Sequence, residues 1–160
     1  MKKMDKDGII LCEMQASVFA KSADYVLSSS DIFIRRFMNS RVVKLLDSGD
    51  VLQTNIQAED IIDMIEQQYG ITQYGSVKYT GDELYWMGYL YRYYAYTYGI
   101  SSLKVYKTIK PKELRELFVT YHTMDPAGAI ERILEAKNLL FDEEKEQKRQ
   151  YEIFRKIRQG

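Results

Sequence analysis

The chain has one cysteine, Cys12, in 160 residues. A single thiol can build neither a disulfide framework nor a thiolate metal cluster. Prolines number two and glycines nine. So few helix breakers favour long helices over a strand-and-turn fold. Charge of one sign is also missing, since 23 Lys and Arg balance 23 Asp and Glu. A globally basic nucleic-acid binder is therefore not indicated, although a local basic patch stays open. No apolar run is long enough to cross a bilayer. Residues 9–12 are too short for a signal-peptide core, and Glu13 interrupts them. The expectation is a soluble, cytoplasmic protein with no membrane contact.

Tyrosine, by contrast, is abundant. Eight of the fourteen tyrosines, and the only tryptophan, Trp86, lie in residues 79–98, YTGDELYWMGYLYRYYAYTY. Thr80 and Glu83 have the spacing of a capping box, and Gly99 supplies a left-handed stop. The stretch therefore reads as one helix over about 82–98. By helical spacing, Leu84, Met87, Gly88, Tyr91, Ala95 and Tyr98 share a face. The opposite face is aromatic too, with Tyr85, Trp86, Tyr89, Tyr93 and Tyr96. A helix apolar all round is expected to be buried and central, with some hydroxyls reaching water or a partner. Gly88 and Ala95, seven apart, make a low-bulk stripe against which another helix can approach closely.

The other segments also read as helices. Ile9, Ile10, Met14, Val18 and Phe19 suggest a short amphipathic helix in the N-terminal segment, 1–29. A second helix is expected over about 31–47, with Ile34, Phe37, Met38, Val42 and Leu45 inward. A third is expected over about 58–69, closed by Gly70. Residues 72–79 read as a loop or a brief extended piece. Pro111 and Pro126 each suit the first turn of a helix, the second after an Asp125 cap. Residues 142–160 open acidic and close basic, as a helix dipole prefers. The fold class expected is all-α, a single multi-helix domain over 1–160 around a buried, tyrosine-rich central helix.

Chemistry-bearing patterns are sparse. His122 is the only histidine and has no ligand-spaced partners. Glu83 and Asp82 are accounted for by the helix start, and no glycine-rich phosphate loop occurs. No catalytic residue, metal ligand or cofactor-binding residue is assigned, and an enzyme is disfavoured. Arg92 is the single charge between Leu84 and Tyr98. It reads either as a structural ion pair or as a hook for an acidic partner, the ion pair being preferred. Candidate partner-binding residues are Arg35 and Arg36 on the basic face of the second helix, with Trp86, Tyr89, Arg92 and Tyr93. That basic face could also pair with the acidic face of the third helix. Ala95, Gly99 and Val105 have the spacing of a helix-turn-helix corner. Ser101, Ser102, Lys104 and Lys107 would then face DNA. The alternative is a plain helical corner.

Four blocks carry a family resemblance: FIRRFMNS (33–40), YTGDELYWMGYLYRY (79–93), IKPKELR (109–115) and YHTMDPAGAIERI (121–133). In this order they resemble small bacterial proteins of toxin–antitoxin-type loci. Members of that family sit beside an ADP-ribosyltransferase-like toxin and are taken to be its antitoxin. The resemblance covers 32–137. Gly128 departs from the polar residue expected there, which weakens a helix start without altering any chemistry. The first thirty residues have no counterpart. Membership would imply a non-enzymatic protein, without cofactor, that binds a co-encoded toxin. A regulator that binds DNA, alone or as an antitoxin that represses its own operon, is the alternative function.

Overall fold

Helix α1, Lys6–Tyr25, and helix α5, Gly81–Tyr98, pack antiparallel and form the centre of the computed structural model. The structure describes residues 1–139 and 151–158. Around this pair run α2 (Ser30–Asn39), α3 (Val43–Ser48), a 3-10 turn (Asp50–Gln53) and α4 (Ala58–Tyr69). After α5 come α6 (Ser102–Thr108), α7 (Pro111–Glu116), α8 (Phe118–Tyr121) and α9 (Pro126–Ala136). The protein is all-α, with no strand among the described residues. Nor, among them, is any helix long and apolar enough to cross a membrane. The chain separates into two packing units, Met1–Ala127 and Gly128–Gly160.

Within the first unit, α5 begins and ends where its sequence dictates. Thr80 Oγ1 accepts from Glu83 N, and Glu83 Oε1 accepts from Thr80 N, closing the capping box. Gly99 ends the helix at φ +64°, a left-handed conformation that glycine enters without a Cβ penalty. Its buried face presents Leu84, Met87, Gly88, Tyr91 and Ala95. A Cβ on Gly88 would lie 2.8 Å from the Gln15 carbonyl oxygen and 2.9 Å from Phe19 Cγ. The glycine therefore sets how closely α1 and α5 approach, as the low-bulk stripe requires. The helix is not buried all round, however. Of its seven tyrosines only Tyr91 and Tyr94 are buried, while Tyr85 is 42% exposed. The expected single buried tyrosine-rich helix is instead a buried face backed by an aromatic, half-open one.

Helix α1 is longer than the periodicity indicated, and only part of the expected face is inside: Val18 and Phe19 are buried as expected. Leu11, Cys12, Gln15, Ala16 and Phe19 are buried, whereas Ile9 and Ile10 are each 40% exposed. Phe19 packs edge-on against Phe37 at 5.1 Å and against Tyr91 at 6.3 Å. The expected helix over 31–47 is two helices. Ser40 Oγ donates to the Phe37 carbonyl and accepts from Val43 N, so it ends α2 and starts α3. The helix opened by Pro111 likewise divides at Leu117 into α7 and α8. Helix α4 occupies its expected span and ends at Gly70, φ +83°.

The connection before α5 is tied down rather than loose. Ser29 N donates to Tyr74 O at 2.8 Å, Ser30 N to Val77 O at 3.0 Å, and Tyr79 N to Ser30 Oγ at 2.9 Å. Lys78 Nζ donates to the carbonyl of Val26 at the end of α1, where a cation suits the helix dipole. Among the described residues no ion pair joins acidic α4 to basic α2; Glu59 binds Lys21 of α1. Beyond the first unit, α9 runs on with Ala129, Ile130, Ile133 and Leu134 buried. Residues 151–158 are helical and exposed. The rest of the helix expected over 142–160 lies outside the described residues.

Candidate functional site

Two concavities of the first unit bear on the expected site residues. One is a cleft of about 730 Å³ at the junction of α1, α3, the 3-10 turn and α5, with Lys2, Asp47, Arg92 and Tyr96 in its walls. Arg92 is 1% exposed and binds three helices. Its Nε donates to Gln15 Oε1 at 2.8 Å, its Nη1 to Asp47 Oδ1 at 2.7 Å and its Nη2 to Ser102 Oγ at 2.8 Å. Ser102 Oγ in turn donates to Asp47 Oδ1, and Gln15 Nε2 to the Gly88 carbonyl at 3.1 Å. Burial works against the guanidinium charge, and the Asp47 carboxylate offsets it. The same burial pushes the Cys12 thiol up to about 12, which makes it a packed, unreactive group. At the rim, Lys2 Nζ sits 4.0 Å from the Tyr96 ring centre and Tyr96 donates to Asp5. The charges of this cleft are thus largely matched within the chain.

The second concavity is an aromatic groove of about 630 Å³. Asp82, Tyr85, Trp86 and Tyr89 project along one side at the i, i+3, i+4, i+7 spacing of a single helix face. Phe118, His122 and Met124 close the other side. Trp86 meets Phe118 edge-on at 5.8 Å, and Phe118 stacks on His122 at 4.4 Å. His122 Nδ1 donates to the Phe118 carbonyl at 2.7 Å, so its own helical turn holds the ring. Tyr93 extends the aromatic surface by one turn, stacked on Tyr89 at 6.4 Å. Desolvation raises the pKa values of the Tyr89 and Tyr93 phenols, with nearby carboxylates adding smaller pushes. Among the described residues no group of His, Cys, Asp and Glu is arranged to hold a metal ion.

Of the expected partner-binding residues, Trp86, Tyr89 and Tyr93 share this surface. Arg92 does not: it is inside, its guanidinium taken up by Gln15, Asp47 and Ser102, as the structural ion-pair reading requires. Arg35 is exposed on α2, and Arg36 donates to Thr72 Oγ1 beside the rings of Tyr69 and Tyr74. Neither joins the groove. In the other set, Ser101 caps α6 through Lys104 N, and Ser102 is buried against Arg92 and Asp47. Ser101, Lys104 and Lys107 are exposed, Ser101 with its hydroxyl committed to that cap. Phe118 on α8 and Met124 in the turn after it complete the groove, which no local spacing signals. Comparison of the chain with protein-family models, curated proteins and solved structures finds no match.

Proposed function

We propose that this chain is a non-enzymatic, antitoxin-like protein that neutralises a co-encoded toxin, ADP-ribosyltransferase-like in kind, by protein–protein contact. The observation that carries this reading is the groove: Tyr85, Trp86, Tyr89, Phe118 and Met124 gathered on one open surface. Aromatic residues and methionine are the side chains enriched where proteins bind one another, and tyrosine and tryptophan dominate binding hot spots. The four-block resemblance supports the same function. The test is co-expression with the product of the adjacent gene, scoring growth and complex formation. Tyr85→Ala and Tyr89→Ala together are expected to weaken the complex at least ~30-fold, the scale of one hot spot. Their melting midpoint should stay close to the parent's, because Tyr85 is exposed and Tyr89 half-buried. A full-strength complex with both rings removed would reject the groove as the docking surface.

DNA binding is a second reading, favoured by the exposed Lys104 and Lys107 on the helix that follows the Gly99 corner. Replacing both with glutamate is then expected to abolish salt-sensitive binding to the upstream promoter and to leave toxin neutralisation intact. Unchanged promoter affinity at low salt would reduce this segment to a plain helical corner.

A further inference from the structure

We infer that the aromatic groove receives a basic side chain, an arginine or lysine on a segment of the protein partner. This rests on the docking role proposed above and specifies its chemistry. Elsewhere several tyrosine faces meet the chain's own cations. Lys2 covers Tyr96, Arg36 lies beside Tyr69 and Tyr74, Lys110 covers Tyr106, and Arg115 covers Tyr79 at 4.3 Å. Among the described residues no cation lies over Tyr85, Trp86 or Tyr89. No Lys or Arg lines the groove, yet Asp82 does, exposed and with no ion pair or hydrogen bond from its side chain among the described residues. Glu13 is close enough to Tyr89 to help raise its phenol pKa, so a second carboxylate adds to the negative field there. Ring faces are negative and attract cations, tryptophan most strongly. A trough of rings with a carboxylate at its edge and no lysine or arginine in its lining is complementary to a guanidinium or ammonium group. A wholly apolar plug would leave Asp82 with nothing to pair.

Trp86 is the only tryptophan, so its emission reports on the groove directly. The probe is an acetylated, amidated Gly-Ser-Arg-Ser-Gly peptide titrated into the full chain. Its uncharged counterpart carries citrulline in place of arginine. The expected result is a saturable change in Trp86 emission, with the arginine peptide at least about threefold tighter than the citrulline one. Asp82→Asn should remove much of that preference at an unchanged melting midpoint, and added salt should do the same. Equal responses to both peptides, or no response to either, would overturn the inference. The toxin assay separates the two levels. If the Tyr85/Tyr89 variant loses neutralisation but the peptides are not distinguished, docking stands and the basic occupant falls. If that variant neutralises normally, the docking reading itself falls.

Discussion

Gly88→Ala should destabilise the protein, even though alanine is the better helix former. Helix propensity favours alanine by up to ~1 kcal/mol. Against this, the new methyl would sit 2.8 Å from the Gln15 carbonyl oxygen and 3.0 Å from Ala16 Cα, both backbone atoms. Backbone cannot swing aside as a flexible side chain can, so α1 must move off α5. Overpacking of this kind costs about 1–3 kcal/mol. For a chain of this size that is about 2–4 °C of melting midpoint per kcal/mol. Gly88→Leu carries three further carbons into the same contact and should abolish the cooperative transition. Cys12 gives an independent readout. Its thiol is fully buried and held protonated, so in the parent it should react with a thiol reagent only on unfolding. In Gly88→Leu it should react at once. A Gly88→Leu protein that melts like the parent with a protected Cys12 would show that α1 and α5 do not meet as described.

The second large effect is expected at Arg92. Arg92→Met removes the charge but leaves the Asp47 carboxylate, 24% exposed, without its cation. It also leaves the buried Gln15 Oε1 without its donor and removes one contact of Ser102. Breaking a buried pair from one side costs about 3–5 kcal/mol, because the remaining charge is left uncompensated. Asp47 keeps the donors of Ser102, its backbone N and its Oγ, so the loss should fall toward the lower end of that range. Arg92→Met combined with Asp47→Leu should recover part of it, and a double-mutant cycle should give a coupling of about 0.5–3 kcal/mol. Urea unfolding of the four proteins measures this. An Arg92→Met protein within ~0.5 kcal/mol of the parent would remove the network from the account of stability.

How much of this could be read in advance varied with where the signal lies. The ends of α5 were legible, because a capping box and a C-terminal glycine act within four residues of the boundary. That Arg92 would need an internal partner was also legible, from one charge among so many rings. Which partner was not: Asp47 lies 45 residues away in a segment read as the end of a continuous helix. The break at Ser40 was hidden because the apolar spacing of Phe37, Met38, Val42 and Leu45 runs straight through it. Only the serine's two hydrogen bonds reveal the stop. In α1 the error came from polar residues in the core. Gln15 and Ser22 are buried but bonded, so a hydrophobic periodicity passes over them and selects Ile9 and Ile10 instead. The α5 wall of the groove was visible as a helical stripe, whereas the opposite wall exists only through tertiary folding.

The antiparallel pairing of α1 with α5 also bears on how the chain comes off the ribosome. Gln15 and its bonding partner Gly88 are 73 positions apart. At about 5–20 residues per second, α1 has been made some 4–15 s before the strip it packs against is complete. During that interval Leu11, Ala16 and Phe19 have no α5 to cover them. Such a helix, with Gln15 and Ser22 on its packing face, is a weaker target for wrong hydrophobic partners than one of unbroken leucines and isoleucines would be. The buried polar residues that disguise α1 in the sequence thus also interrupt the apolar face it presents before α5 is made.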